Sequence, residues 1–314
     1  MNAVAATVPA LANDLLSGSE WSTEQIRELY HLAADIKARP ERYRSALAGR
    51  FLALIFEKPS LRTRVTFEVG ISSMGGGAVF LDHTQSRLGE RESVRDVAKN
   101  LERWVQGIVA RVFEHKLLEE LAENASVPVI NALSDRSHPC QAFADFFTLE
   151  ERFGNLRGLK VAYVGDGNNV CHSLLTIGAR LGAHVCVATP AGYEPDAGVV
   201  AEARHAARES RGEIEILRSP EDAVKGAEAV YTDVWASMGQ ENEAEQREAV
   251  FAPYQVNRAL FEQADAQAVF MHCLPAHRGS EVAAEVIDSA QSVVFEQSEN
   301  RLHVQKAILL TLLG

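Results

Sequence analysis

FLALIFEKPSLRTRVTFE, residues 51–68, decides the predicted fold of this 314-residue chain. Phe51–Phe56 is a short apolar run of the kind that forms a buried strand. Pro59 ends that strand. Ser60 is a good N-cap for a helix over 62–70, which contains no breaker before its final glycine. The stretch therefore predicts a strand, a tight turn and a helix.

The start of that helix is a candidate anion site. Free backbone N–H groups and the positive end of the helix dipole favour an anion there. Ser60, Arg62, Thr63 and Arg64 add hydroxyl and guanidinium donors, so a phosphate group would fit. The alternative is that Arg62 and Arg64 lie solvated on the outer face of a helix, and the motif alone does not decide between the two.

Composition limits the classes of function. The length suggests about two domains, and 46% hydrophobic with 24% charged residues is ordinary for a globular protein. The net charge of −12 argues against nucleic acid or an anionic membrane as a partner, because both need a basic field. Residues 1–11 contain no Lys or Arg and no apolar run reaches membrane-spanning length, so we expect a cytoplasmic protein. Reduced thiols are expected for the four cysteines, which form no CxxC pair: Cys140, Cys171, Cys186 and Cys273.

Strands alternate with helices along the chain. Such alternation predicts α/β units with parallel sheets, and the break at 154–158 divides the chain into two parts. The candidate strands after the opening one are 78–81, 107–112, 128–133, 160–164, 184–188, 214–217, 229–232, 268–271 and 292–295. The candidate helices are 21–38, 93–104, 116–123, 138–152 and 296–313, and the charged segment 242–248 is expected to be a solvated loop or helix edge.

Polar residues follow several candidate strands, where ligands collect in doubly wound sheets. Arg111 ends an apolar strand and must either meet a carboxylate or face a ligand. His138 opens a helix, where the dipole favours a neutral imidazole; a simple capping role is the alternative. Asp233 could bind an amine or act as an ordinary N-cap. Cys273 follows another strand and could be reactive, inert or a ligand.

Two cofactor hypotheses receive little support. The loop 165–173 lacks the third glycine of a dinucleotide fingerprint, so its asparagines are better suited to a polar ligand or to a turn. His138, Cys140, His272 and His277 could in principle bind zinc, but their spacing matches no common ligand pattern. We therefore expect neither a metal nor an organic cofactor.

Several segments taken together resemble the aspartate and ornithine carbamoyltransferases. They are FEKPSLRTR (56–64), HPCQ (138–141), DVWASMG (233–239) and HCLP (272–275), in the family's order, and the last two favour the ornithine branch. The loop GDGNN (165–169) and ENRL (299–302) extend the resemblance over nearly the whole chain.

The resemblance implies an α/β fold with two doubly wound parallel-sheet domains linked by helices. Residues 1–137 would bind carbamoyl phosphate, 138–295 would bind L-ornithine, and a closing helix at 296–314 would pack back on the first domain. It also implies a homotrimer with active sites between subunits, and transfer of the carbamoyl group to ornithine's δ-amine to give citrulline and phosphate.

Site roles are carried over by motif. The implied catalytic residues are Arg62, Arg111, His138, Asp233 and Cys273. The implied carbamoyl-phosphate contacts are Ser60, Leu61, Arg62, Thr63, Arg87, Arg111, His138, Pro139, Cys140, Gln141, Cys273, Leu274 and Arg301. The implied ornithine contacts are Asn169, Asp233, Ser237 and Met238. Leu274-Pro275 could form a cis or a trans peptide bond.

Two residues depart from the family pattern. Leu61 stands where threonine is usual, so one hydroxyl contact worth about 1 kcal/mol is absent while the backbone N–H remains. Arg87 stands where glutamine or histidine is common, and it is a candidate contact to the phosphate of a neighbouring subunit or else a solvated loop arginine.

Three alternative functions remain distinguishable. A sister carbamoyltransferase would act on putrescine or an N-acylated ornithine, although putrescine has no carboxylate for the turn at 237–239. A nicotinamide-dependent oxidoreductase would not need the SxRTR cluster. A non-catalytic relative would be expected to lose Arg62, His138 or Cys273, and all three are present.

Overall fold

Two parallel β-sheets surrounded by helices make up the computed structural model, which describes residues 13–236 and 241–314. The first sheet contains β1 (Phe51–Phe56), β2 (Gly77–Asp82), β3 (Gly107–Arg111) and β4 (Val129–Leu133). The second contains β5 (Lys160–Val164), β6 (His184–Ala188), β7 (Glu213–Leu217), β8 (Ala229–Thr232) and β9 (Val269–His272). The helices are α1 (Thr23–Ala38), α2 (Leu61–Ser72), α3 (Val94–Leu101), α4 (His115–Asn124), α5 (Pro139–Phe153), α6 (Asn169–Leu181), α7 (Ala197–Ser210), α8 (Pro220–Val224), α9 (Ala244–Phe251), α10 (Arg258–Phe261), α11 (Ala284–Ile287) and α12 (Val294–Leu313).

The first sheet has the strand order β2-β1-β3-β4. All of β1 after Phe51 is buried, as its unbroken apolar sequence requires for a central strand of a parallel sheet. The chain goes from β1 to β2 on one side and then returns to β3 on the other, so the strand order reverses between β1 and β3. Because Phe56 pairs with Arg111 in register, the turn that contains Ser60 and the end of β3 share one edge.

The second sheet repeats this arrangement with the order β7-β6-β5-β8-β9. Its order reverses between β5 and β8. The loop that starts at Gly165 follows β5, Asp233 follows β8 and Cys273 follows β9. The carboxyl ends of these three strands therefore bring their polar residues to one edge of the sheet.

Two long helices join the sheets. α12 packs against α1, α2 and α5, and α5 also packs against α6. One cluster of buried apolar side chains includes Phe67 of α2, Phe147 of α5, Tyr163 of β5 and Leu309 of α12. Burial of this shared surface holds the two sheets in one orientation.

The predicted α/β fold with two doubly wound parallel sheets is confirmed. β1, β5, β6 and β8 begin and end at the predicted residues. All four cysteines are free thiols, as expected. Within the described ranges, no helix is both long and apolar enough to cross a membrane.

Two local predictions are wrong. Residues 292–295 do not form a strand, because Ser292 makes only an isolated bridge to Phe270 before α12 begins at Val294. α2 continues through Gly70 to Ser72, since Gly70 is buried against α12 and helical packing outweighs its low propensity. The expected helix edge at 242–248 is confirmed, because the segment runs into α9 with its described side chains exposed, apart from Arg247, which is buried.

Candidate active site

A cavity of about 510 Å³ lies between the carboxyl edges of the two sheets. Both halves of the chain supply its walls. Its lining residues are Lys58, Pro59, Ser60, Leu61, Arg62, Thr63, Arg111, Leu133, His138, Gln141, Asn169, Val170, Asp233, Val234, Ala236, Cys273, Leu274, Pro275, His277 and Arg301.

The start of α2 forms one wall. Ser60 is its N-cap, and the Ser60 hydroxyl accepts a hydrogen bond from the Thr63 backbone N–H. Arg62 lines the cavity, whereas Arg64 donates to Glu68 one turn further along the helix and stacks on the Phe80 ring. The sequence alone did not decide whether Arg62 and Arg64 bind an anion or are solvated. The structure brings only Arg62 to the cavity.

Three arginines converge on this wall. Arg111 and Arg301 are buried, and Arg301 donates from Nη2 to the Thr63 hydroxyl at 2.8 Å. Burial and the nearby Arg301 and Arg62 lower the pKa of Arg111 to about 9, which still leaves it protonated at neutral pH. Among the described residues no carboxylate lies within ion-pair distance of Arg62 or Arg111. Guanidinium groups held together without a counter-charge favour binding of an anion.

His138 and Gln141 lie at the start of α5 beside the arginines. Burial, and then the charges of Arg301 and Arg111, lower the pKa of His138 well below its usual range, so its imidazole is neutral. Burial therefore favours the neutral state that was expected at this helix start. The Gln141 amide N–H donates to Asp145 at 2.7 Å, and this fixes the amide so that its oxygen is the free atom. His138 Nδ1 and Gln141 Oε1 are buried and have no hydrogen-bond partner within the described part of the chain.

Three predicted contact residues do not line the cavity. Pro139 is the first residue of α5 and is buried. The Cys140 thiol points into the core, where it donates to the Asn131 carbonyl, and burial raises its pKa to about 12. Arg87 stacks on the ring of Phe113, with its guanidinium carbon 4.3 Å from the ring centroid. None of the three lies where a ligand in this cavity would contact its side chain.

Asp233 and Cys273 form the opposite wall. The Cys273 thiol donates to Asp233 Oδ1 at 2.9 Å, and Asn168 donates to Asp233 Oδ2 at 2.8 Å. Burial and the neighbouring Asp233 charge raise the pKa of Cys273 well above its usual value. Cys273 is therefore a protonated hydrogen-bond donor rather than a thiolate nucleophile. Asn169 opens α6 and lines the cavity beside this pair.

The loop after β9 completes this wall. The Leu274-Pro275 peptide bond is cis, and Leu274 has a positive φ of 57°. His272 lies near Asp233 and Cys273, but its Nδ1 accepts from the Leu274 N–H and its Nε2 contacts Glu281, so neither ring nitrogen is free to bind a metal. Ser237 and Met238, the other predicted ornithine contacts, lie outside the described residues.

Sequence reasoning assigned no role to Lys58 and considered His277 only as one of four zinc-ligand candidates, although both line the cavity. The Lys58 ammonium lies 4.2 Å from the centroid of the Phe113 ring, and burial and the Arg111 charge lower its pKa. The position of Lys58 just before the SxRTR motif could have indicated that it lies at the cavity. His277 follows the HCLP motif by two residues, which was the corresponding signal for that side chain.

The two walls differ in charge. Arginine and lysine side chains on one side suit a dianion, whereas a carboxylate on the other side suits an amine. Family models match both halves of the chain. The carbamoyl-phosphate-binding domain of aspartate/ornithine carbamoyltransferase matches residues 13–151, and the Asp/Orn-binding domain matches residues 157–312. The chain belongs to the aspartate/ornithine carbamoyltransferase family.

Relatives within this carbamoyltransferase family are similar over the whole chain. The ornithine carbamoyltransferase of Thermococcus kodakarensis is 51% identical over 312 residues, which are 98% of each chain. The solved ornithine carbamoyltransferase of Pyrococcus furiosus has a TM-score of 0.95 at 51% identity, covering 98% of this chain and 99% of that chain. An acetylornithine transcarbamylase solved with acetylcitrulline is more distant, with 31% identity and a TM-score of 0.87 over 96% of this chain and 99% of that chain. The family predicted from the sequence motifs is thus confirmed.

Proposed function

We propose that the protein transfers the carbamoyl group of carbamoyl phosphate to the δ-amine of L-ornithine, which gives L-citrulline and phosphate. The observation that carries this proposal is a single cavity with three arginines on one wall and the Asp233–Cys273 pair on the other. Full-length relatives named ornithine carbamoyltransferase at 50–53% identity support the choice of amine. The reaction direction proposed is biosynthetic, as in the relative from Pyrococcus furiosus that is named anabolic.

The arginine wall is proposed to bind the phosphate end of carbamoyl phosphate. Ser60, Leu61 and Thr63 would contribute N–H or hydroxyl donors, and Arg62 would contribute its guanidinium. Arg111 and Arg301 would share the remaining phosphate and carbonyl oxygens. Because the three guanidinium groups are already brought together, the cost of their mutual repulsion is incurred during folding, and an incoming dianion relieves it.

At the start of α5, two side-chain atoms without a hydrogen-bond partner are suited to the carbamoyl end of carbamoyl phosphate. Gln141 Oε1 is the acceptor needed for a carbamoyl N–H, and Asp145 holds it in that orientation. A neutral His138 can donate one ring N–H to the carbonyl oxygen. These contacts would strengthen as negative charge develops on that oxygen, which is the type of stabilisation that accelerates acyl transfer.

The opposite wall would orient ornithine. The neutral δ-amine attacks the carbamoyl carbon, the tetrahedral intermediate expels phosphate with the electrons of the C–O bond, and the new amide nitrogen gives its extra proton to the departing phosphate. An amine with a solution pKa near 10 must shed a proton before it attacks, and a desolvated site favours that neutral form. Asp233 would accept a hydrogen bond from the amine, while Asn169, Ser237 and Met238 would bind the α-amino and α-carboxylate groups.

Domain roles, assembly and location complete the proposal. Residues 1–137 would bind carbamoyl phosphate and 138–295 ornithine, with residues 296–314 packing back on the first part. The chain would assemble as a homotrimer in the cytoplasm, and Arg87 would reach the phosphate of a neighbouring subunit. Pro139, Cys140, Cys273 and Leu274 are proposed to contact carbamoyl phosphate, with Pro139 and Cys140 doing so through backbone atoms, because their side chains face the core.

A colorimetric citrulline assay tests the proposed amine. Purified protein is mixed with carbamoyl phosphate and with ornithine, putrescine or N-acetylornithine in parallel, and a sample without carbamoyl phosphate is the blank. Product is expected from ornithine, with much less from the other two amines. Absence of product from ornithine would overturn the assignment, and preference for either other amine would reassign the substrate within the carbamoyltransferases.

A further inference from the structure

A second group of potential ligand atoms lies outside the cavity, on β6 and β7. His184 and Cys186 are two residues apart on β6, and Glu213 and Glu215 are two residues apart on β7. The register pairs His184 with Glu213 and Cys186 with Glu215. Because alternate residues of a strand face the same side, all four side chains lie on one face of two neighbouring strands.

The donor atoms of this group converge. His184 Nε2 lies 2.9 Å from Glu215 Oε2, and Cys186 Sγ lies 3.1 Å from both atoms. Glu213 Oε2 lies 3.9 Å from His184 Nε2. Around a tetrahedral zinc ion, N and O ligand atoms are about 3.3 Å apart and a sulfur is about 3.5 Å from an N or O, given zinc distances of about 2.0 Å to N and O and 2.3 Å to S. The triangle of His184, Cys186 and Glu215 therefore needs to open only slightly. Glu213, which lies farther out, must rotate its side chain inward to become the fourth ligand.

From this convergence we propose a binding site for a divalent transition metal, with Zn²⁺ as the best match, formed by His184, Cys186, Glu215 and Glu213. Imidazole, thiolate and carboxylate are the ligand set that suits zinc, and they exclude magnesium and calcium as preferred occupants. Binding displaces to solvent the proton that the Cys186 thiol donates to Glu215, and the neutral imidazole binds through Nε2 with its proton on Nδ1. The metal would join the edge strand β7 to β6 and so stabilise that edge of the sheet.

The surroundings admit a cation. The side chains of His184, Glu215 and Glu213 are 24%, 41% and 64% exposed, so an ion can enter from solvent, while Cys186 is buried beneath them. Lys160 of β5 pairs with His184 in register and donates to the Lys225 carbonyl. The net charge of the loaded site would be zero, because the negative charges of one thiolate and two carboxylates balance those of Lys160 and the divalent ion. The site would therefore not bury an unpaired charge.

The same geometry argues against a nucleophilic role. A Cys–His–carboxylate triad uses one ring nitrogen for the thiol and the other for the carboxylate. Here both Cys186 and Glu215 meet the same atom, Nε2 of His184. The group also lies toward the amino ends of its strands, whereas the cavity lies beyond the carboxyl ends, so a metal here would bind away from the reacting groups.

Cobalt binding tests the proposal on the full-length, tag-free protein. Co²⁺ bound to a thiolate gives a charge-transfer absorption in the near ultraviolet, and titration gives its stoichiometry. Wild type is expected to bind one Co²⁺ per chain with this absorption and to release it when Zn²⁺ is added. Cys186→Ser should lose the absorption, and Glu215→Gln, which keeps the side-chain size at a half-exposed position, should weaken binding at least tenfold.

Cys273→Ser is the matched control, because Cys273 also lies near a carboxylate and a histidine. The Cys273→Ser protein should retain the cobalt absorption, and Zn²⁺ should raise the melting temperature of wild type and Cys273→Ser but not of Cys186→Ser. An absorption that survives Cys186→Ser and disappears in Cys273→Ser would overturn the proposal, as would wild type that binds no cobalt. Metal binding is read directly, so these outcomes do not depend on citrulline formation.

Discussion

Asp145 lies at the centre of a buried hydrogen-bond network beneath the cavity. Its Oδ1 accepts from the side-chain amides of Gln141 at 2.7 Å and Gln297 at 2.6 Å, and its Oδ2 accepts from the Tyr231 hydroxyl at 3.1 Å. Burial raises the pKa of Asp145 from its usual 3.8 to about 7; the three hydrogen bonds and the charge of Arg301 oppose that rise but do not cancel it. The network therefore contains a carboxyl group that resists ionisation in the folded protein.

The raised pKa makes folding stability depend on pH. The folded-state pKa exceeds the unfolded one, so the contribution of Asp145 is fully present below about pH 4 and is lost as pH rises through about 7. At about 1.36 kcal/mol per pKa unit, the rise from 3.8 to about 7 corresponds to about 4 kcal/mol at high pH. About 3 kcal/mol of that loss falls between pH 5 and pH 8.

Asp145→Asn removes the ionisation and keeps the shape. The Asn oxygen can still accept from Gln141 and Gln297, while its amide nitrogen faces Tyr231, whose hydroxyl must then accept instead of donate. That exchange costs about one hydrogen bond, or about 1 kcal/mol. The variant should therefore match wild type near pH 5 and have an unfolding free energy about 3 kcal/mol higher at pH 8. Gln141 keeps its orientation, so citrulline formation should persist.

Urea unfolding at pH 5 and pH 8, followed by tryptophan fluorescence at one protein concentration, measures the difference. Asp196→Asn is the control, because Asp196 caps α7 and its pKa is lowered by the Val199 N–H. The stabilising effect of Asp196 is fully present above its unfolded-state pKa. The unfolding free energy of Asp196→Asn should therefore fall below that of wild type by the same amount at pH 5 and at pH 8. If Asp145→Asn and wild type differ in unfolding free energy by the same amount at both pH values, the raised pKa of Asp145 is refuted.

Three further substitutions test the site and its support. Arg62→Ala should abolish citrulline formation and weaken carbamoyl phosphate binding, whereas Arg64→Ala should preserve both; wild-type kinetics for the first would contradict the proposed phosphate site. Leu61→Thr should restore one hydroxyl contact and lower the KM for carbamoyl phosphate about fivefold, from about 1 kcal/mol, with Leu61→Val as the control that gains nothing. Arg247→Met should lower the unfolding free energy by about 3–5 kcal/mol because it strands a buried carboxylate partner. Arg258→Met, at an exposed ion pair, should change it by less than about 1 kcal/mol, and equal effects of these two would show that burial does not decide the cost.

The strands and the start of the helix that carries Arg62 could be predicted from local sequence. A six-residue apolar run such as Phe51–Phe56 can be satisfied only by burial on both faces, so the central strand follows from the residues themselves. Ser60 predicts its helix start for an equally local reason, since its hydroxyl caps an N–H three residues away. The alternation of such units then implies the parallel sheets.

Other features depend on residues far apart in the chain. Arg62 and Arg64 have the same local signal, and only the docking of α2 beside α12 brings one to the cavity and leaves the other on the surface. Arg247 lies in a charged run that reads as solvated, yet its Nη1 donates to Asp166 at 2.9 Å, a residue from a different βα unit. Such pairings leave no periodic pattern in the sequence.

The sequence by itself determined the order of strands and helices, the phosphate-type motif and the family, because each depends on neighbouring residues or short motifs. Tertiary structure alone decided which polar side chains meet. It oriented Gln141 through Asp145, kept Cys273 protonated beside Asp233, and gathered His184, Cys186 and Glu215 on one face of the second sheet. Burial, charge and hydrogen bonding act through distance in space, and packing of the two sheets sets those distances.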